Sequence, residues 1–194
     1  MPDLELISAC LKNDGNARKV FYEKFFSLLS GIAIRYAKSK AQAHEIVQNG
    51  YAHLFNEISK YKAGSKQSVE DWVKEEFIKF AVDFIRNIRS EYYVASTVRA
   101  TDSTTKTYDL FVDNVLTDFK NVDFDILILS LQQLVPSQRL IFNLNVVEEY
   151  DLRKSADLLE ASEQTAKANL EKARYNLQKN IDKNSKILKN EQPV

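Results

Sequence analysis

Tyr150–Leu177, YDLRKSADLLEASEQTAKANLEKARYNL, reads as two short helices joined by a tight turn, and that reading decides the fold. Ala156 and Leu159 are apolar positions of the first helix; Ala166, Leu170, Ala173 and Leu177 repeat at helical spacing on the second. Between them stands Glu160-Ala161-Ser162. The Ser162 hydroxyl can accept from the backbone N–H of Gln164 or Thr165, which makes it a good N-cap, and Glu163 sets a negative charge at the positive end of the new helix. This is the layout of a helix-turn-helix, in which the first helix braces the second and the outer face of the second can enter a DNA major groove. With the four apolar positions inward, about 100° per residue brings Gln164, Ala168, Glu171 and Tyr175 to the outward centre. Lys167 and Arg174 then flank one side, Lys172 and Lys179 the other. Gln164 can pair with an adenine edge, Ala168 can touch a thymine methyl, Glu171 can accept from cytosine, and the flanking cations can hold phosphates.

The rest of the composition agrees with an all-α chain. At 194 residues there is room for one medium domain or two small ones, and 44% apolar residues suffice for real cores. With 28% charged residues, four glycines and three prolines, the balance is that of a helical, soluble protein, and no alternating β-branched run stands out. Lys plus Arg equals Asp plus Glu at 27 each, so no bulk field draws the chain to a polyanion. Nucleic-acid binding would have to come from a local patch or from a partner that supplies affinity. Cys10 is the single cysteine, excluding an intramolecular disulfide, and LISAC places it as a small core residue. No apolar run approaches the ~20 residues that span a bilayer, and no signal-like start precedes the first helix, so no membrane insertion and a cytoplasmic location are expected. There is no Gly-rich phosphate loop, no H-E-x-x-H, no G-x-S-x-G, and His44 and His53 are too far apart for an i, i+4 metal pair. Catalysis, a metal and a cofactor are therefore not expected.

Outward from the opening stretch, helical periods recur. Asp3–Lys12 predicts a first helix with Leu4, Ile7 and Leu11 on one face, and Asn13-Asp14-Gly15-Asn16 stops it. A second helix spans Ala17 to about Lys38, its apolar residues Val20, Phe21, Phe25, Leu28, Leu29, Ile32 and Ile34. A third runs from about Ala41 to Tyr61 with Ile46, Val47, Leu54 and Ile58 inward; a fourth runs from Val69 to about Tyr92. From Val94 to about Asn121 the period fails, and the Ser, Thr and Asp of STVRATDSTTKTYD predict a linker, with room for a short helix near Leu110–Phe119. Helical spacing returns with Ile126, Leu127, Leu129, Leu131 and Leu134, and Pro136 opens a further helix. Beyond Leu177 the Lys- and Asn-rich end is expected to fray.

Three of these segments resemble the bacterial RNA polymerase sigma factors, in particular the extracytoplasmic-function (ECF) group. Ala156, Leu159, Ala161, Ser162, Thr165, Lys167, Leu170, Lys172, Ala173, Arg174 and Leu177 fall in register, without a gap, with the family's helix-turn-helix pattern. Departures include Glu160 where the family has glycine and Asn169 where it has arginine. In the third helix, AHEIVQNGYAHLF resembles the family's core-binding helix: Ala43, Ile46, Val47 and Gln48 match, Glu45 keeps the acid and Tyr51 an aromatic. His44, Asn49 and Gly50 depart. In the fourth, Trp72-Val73, Asp83 and Arg86 follow the spacing of the family's minus-ten segment, with Lys79 where asparagine is usual.

The resemblance implies two small helical domains joined by a linker, the C-terminal one a helix-turn-helix: residues 1–93 binding core polymerase and opening the minus-ten element, 94–123 a linker, 124–183 reading the minus-thirty-five element, and 184–194 a tail. It implies Glu45, Gln48 and Asn49 as polymerase contacts. Trp72, Lys79, Arg86 and Arg89 would serve the minus-ten DNA, with aromatic rings to stack unpaired bases and cations to follow the backbone. Gln164, Thr165, Lys167, Ala168, Asn169, Glu171 and Lys172 would face the DNA groove. The implied function is promoter-directed transcription initiation, with core RNA polymerase and promoter DNA as partners and room for an anti-sigma factor. A second reading keeps the fold without the DNA: a divergent sigma-like protein acting through protein contacts alone, as a transcriptional regulator or scaffold. Trp72 alone reads as well as a core anchor.

Overall fold

The computed structural model describes residues 2–62, 64, 66–88 and 122–191, and among these the secondary structure is helical with no strand. The expected linker over 94–121, the short helix near Leu110, and Arg89, Tyr92 and Tyr93 lie outside the described residues. The chain divides between Phe84 and Ile85 into two compact units. Among the described residues, no helix is long and apolar enough to cross a membrane.

The first unit is built from α1 (Asp3–Leu11), α2 (Gly15–Tyr36), α3 (Lys40–Glu57), a 3-10 turn at Ile58–Lys60, and most of α4 (Val69–Asn87). Polar side chains meet otherwise unsatisfied N–H groups at the starts of α2, α3 and α4: Asp14 accepts from Asn16 and Ala17 (2.8 and 3.0 Å), Ser39 from Gln42 (3.2 Å), and Ser68 from Asp71 (3.0 Å). Helix α2 buries Phe21, Phe25, Leu29, Ile32, Ala33 and Tyr36. Ile46, Val47, Leu54 and Ile58 are buried as the spacing predicts. Tyr51 crosses from α3 to donate to the Tyr22 carbonyl at 2.9 Å, and burial pushes its phenol pKa well up, so it remains a donor. Cys10 is buried in this core, and that burial raises its thiol pKa.

One expectation for this unit is corrected. The face of α1 that packs is Leu6, Ile7 and Cys10, while Leu4 and Leu11 are exposed; a nine-residue helix with one main neighbour has more apolar positions than buried ones. Val20 of α2 points outward, because α2 turns its Phe21–Phe25–Leu29–Ile32 row to the core.

Gly50 has a packing role. A Cβ at that position would stand 2.3 Å from Cε2 of Phe77, a fully buried ring of α4. The missing side chain lets α3 and α4 close over that ring, which outweighs the roughly 1 kcal/mol that mid-helix glycine costs in helix propensity.

The second unit holds α5 (Phe124–Gln132), α6 (Pro136–Phe142) continuing into a π-helical segment (Asn143–Val147), α7 (Leu152–Leu158) and α8 (Glu163–Glu191). Pro136 sits in the first turn of α6, where its missing N–H costs no helix bond. Helix α8 is the spine, with α5, α6 and α7 all packed against it. Its inward row is Ala166, Leu170, Ala173 and Leu177, as expected, and Ile181 and Asn184 extend it. The stretch beyond Leu177 therefore remains helical to Glu191 and does not fray. Asn184 is 3% exposed and donates to Ser130 Oγ (2.9 Å) and Gln133 Oε1 (3.3 Å), while Asn180 donates to the Ser130 carbonyl (3.1 Å). These amides tie the end of α8 to α5. Leu129 is exposed, because Ile128 and Leu131 occupy the packed side of α5 together with Ser130. Arg139 is 1% exposed and donates to the carbonyls of Gln132 (3.2 Å) and Leu134 (2.6 Å), satisfying acceptors that the end of α5 would otherwise leave open.

Gly50→Ala is expected to destabilise the chain by about 1–3 kcal/mol in urea denaturation despite the better helix former, because Phe77 must shift. In a Phe77→Leu background the same change should cost less.

Candidate nucleic-acid interface

Helices α7 and α8 are joined by the turn Leu159–Ser162. Asp151 caps α7 by accepting from the Lys154 N–H at 2.6 Å, so both helices of the pair begin on a side-chain cap. Glu160 takes φ 48°, the left-handed region where glycine is the default residue. The backbone shape at this position is thus one that glycine adopts without strain, here imposed on a glutamate. Ser162 Oγ accepts from the Thr165 N–H (3.1 Å) and lies 2.8 Å from Thr165 Oγ1, so the cap forms as the sequence predicts.

The inward row of α8 fixes which residues face out. Gln164, Thr165, Lys167 and Ala168 are exposed; Asn169, Glu171 and Lys172 are half-buried. Among the described residues, neither Lys167 nor Lys172 makes an ion pair. This face offers an amide, a methyl and cations within two turns, the chemical types that base edges and phosphates require. Its charge is balanced. From Asp151 to Lys172 there are four Lys or Arg against five Asp or Glu, so Coulomb attraction by this segment alone would hold a polyanion weakly.

The residues expected to serve the minus-ten element are differently placed. Trp72 is 6% exposed and meets Tyr61 edge-on at 5.6 Å between ring centres, the position of a core anchor. Lys79 is half-buried and held by Glu76 at 2.9 Å and Glu75 at 3.6 Å. Burial acts to lower its pKa, but the two carboxylates outweigh that and the net shift is upward, so the ammonium remains charged and already paired. Arg86 stands in the last turn of α4. His53 stacks on Phe80 (5.1 Å) with its Nε2 4.0 Å from Glu76, so Glu76 has two cation-capable neighbours. Of the expected polymerase contacts, Glu45, Gln48 and Asn49 are all exposed on α3, with the Asn49 amide donating to the Glu45 carbonyl at 2.9 Å. His44 is exposed on the same helix.

The α7–α8 turn yields a paired prediction. Ser162→Ala should cost about 1 kcal/mol by removing the cap, whereas Ser162→Thr, which keeps a hydroxyl at the same place, should cost a small fraction of that; urea denaturation of both variants checks the difference.

No protein-family model matches the sequence, and no curated protein matches it. Solved structures do. The sigma factor RpoE from Bartonella quintana, determined in complex with the anti-sigma factor NepR, superposes with a TM-score of 0.51 at 16% identity, over 84% of this chain and 98% of that one. At that identity the likeness bears on the fold: this chain has an all-helical, sigma-factor-like fold.

Proposed function

We propose that the chain is an RNA polymerase sigma factor of the ECF type, which directs core polymerase to promoters through sequence-specific DNA contacts. The observation that carries this reading is the outward set Gln164, Lys167 and Ala168 on α8, held in one orientation by the buried row beneath it, in a chain whose fold is like that of a sigma factor. A helix fixed on its inner face presents its outer face at a defined angle, which reading base edges in a groove demands. The exposed Glu45, Gln48 and Asn49 on α3 support polymerase docking by the first unit. The near-balanced charge of the α7–α8 segment fits a division of labour in which polymerase supplies most of the affinity and α8 supplies discrimination. Core RNA polymerase and promoter DNA are then the partners. An anti-sigma factor is a third, by analogy with the neighbour's complex.

A second reading is favoured by one specific observation. Lys79, expected on the minus-ten DNA, is held by Glu75 and Glu76, and the two acids would repel a phosphate at that spot. A sigma-like protein that binds polymerase without opening DNA, and regulates by that contact, is consistent with this pairing.

Promoter-dependent transcription in vitro with purified core polymerase tests both. The first reading expects specific transcripts, with Gln164→Ala and Lys167→Ala each lowering their yield on the order of 10-fold, as for removal of an interaction worth roughly 1–3 kcal/mol, while polymerase retention on beads is unchanged. Retention of polymerase with no transcript from any template in a genomic library would replace it with the second.

A further inference from the structure

The second half of α8 carries a feature that base reading by its first turns does not use. Between Lys172 and Lys189 the sequence has six Lys or Arg against the single acid Asp182, in a chain whose total charge is zero. Helical geometry places Lys179, Lys183 and Lys186 within about 60° of one another around the axis and along about 10 Å of its length. All three are exposed, and among the described residues none makes an ion pair. Asp182 lies to one side and accepts from Gln178 at 2.8 Å. The opposite face is buried through Ile181 and Asn184, so the orientation of the lysines is fixed by packing. The same angular arithmetic puts Ala168 and Lys172 on this outward face, nearer the start of the helix.

We infer that Lys179, Lys183 and Lys186 form a second contact surface for duplex DNA, one that follows the phosphate backbone without reading sequence. The inference rests on the reading of α8 as a DNA-facing helix and extends it by about 20 Å from Lys172 to Lys186. The chemistry favours nucleic acid over the alternatives. Lysine is a compact point charge suited to phosphate, and it is depleted at protein–protein interfaces, whose anchors are aromatic residues and arginine. A membrane surface is disfavoured because the buried row of α8 is covered by α5, α6 and α7, and among the described residues Ile187 is the one large apolar side chain the helix leaves exposed, too little for an amphipathic helix to insert. Duplex DNA carries one charge per ~1.7 Å of axis, so a row of cations along a helix finds several phosphates in reach.

The experiment measures binding of the full chain to a duplex of arbitrary sequence, about 30 base pairs long, by fluorescence anisotropy across a salt series, in wild type and in Lys179→Gln/Lys183→Gln/Lys186→Gln. All three side chains are exposed, so the variant keeps its helical circular dichroism. The expected result is that the slope of log K against log salt falls by about 2–3, near 0.9 for each phosphate no longer neutralised, and that the matching triple Lys→Arg variant restores it. Equal slopes in wild type and the Gln variant, or no binding by wild type at low salt, overturn the inference. So does an unchanged slope together with weakened polymerase retention, which would make the occupant an acidic protein surface. Should the slope fall as expected while promoter-dependent transcription is absent, this surface stands and the sigma-factor reading falls.

Discussion

The buried row on one side of α8 is the constraint on which the second unit depends. Ala166, Leu170, Ala173, Leu177 and Ile181 combine small and large side chains, all buried where α5, α6 and α7 pack against this helix. Each buried leucine or isoleucine contributes on the order of 1.5–3 kcal/mol of burial, so this row dominates over any single surface interaction. Because the row occupies one side of the helix, it fixes by exclusion which residues remain outside. The outward positions of Gln164, Lys167 and Ala168, and farther along those of Lys179, Lys183 and Lys186, follow from what is buried.

Polar groups refine this arrangement. A purely apolar seam between α5 and the end of α8 would tolerate sliding, whereas Asn184 can satisfy its amide only where Ser130 and Gln133 meet it. Hydrogen bonds of this kind contribute about 1 kcal/mol each, yet leaving a buried amide unmatched costs as much or more, so they select register more than they add stability. Arg139 works similarly, its guanidinium bound to the carbonyls of Gln132 and Leu134 at the α5–α6 corner. The long α8 is thereby held at its start by the Ser162 cap and farther along by the amides of Asn180 and Asn184.

In the first unit, tight closure replaces polar registration. Gly50 and the Phe77 ring form a close contact that only glycine allows, and the aromatic cluster of Phe21, Phe25, Tyr51 and Phe55 fills the interior between α2 and α3. The same unit carries the charge arrangement that weighs against one expected DNA contact. Lys79 reaches Glu76 and Glu75 across one turn of its own helix, and a phosphate would have to displace two carboxylates already in place. A spacing that matches a DNA-contacting segment thus does not by itself give a cation available to DNA.

The sequence by itself determined the helical class, the turn between α7 and α8 with its Ser162 cap, the inward row from Ala166 to Leu177, and the outward face opposite it. These depend on local periodicity and capping chemistry, which act over a few residues and are written in consecutive positions. Only tertiary structure decided that α1 buries Leu6 in place of Leu4 and Leu11, that Gly50 makes room for Phe77, that Lys79 is paired, and that α8 continues past Leu177 because Asn184 meets Ser130. The physical reason is shared: each outcome depends on which of several side chains wins a neighbour or a packed face, and a one-dimensional pattern carries no record of which of them will meet.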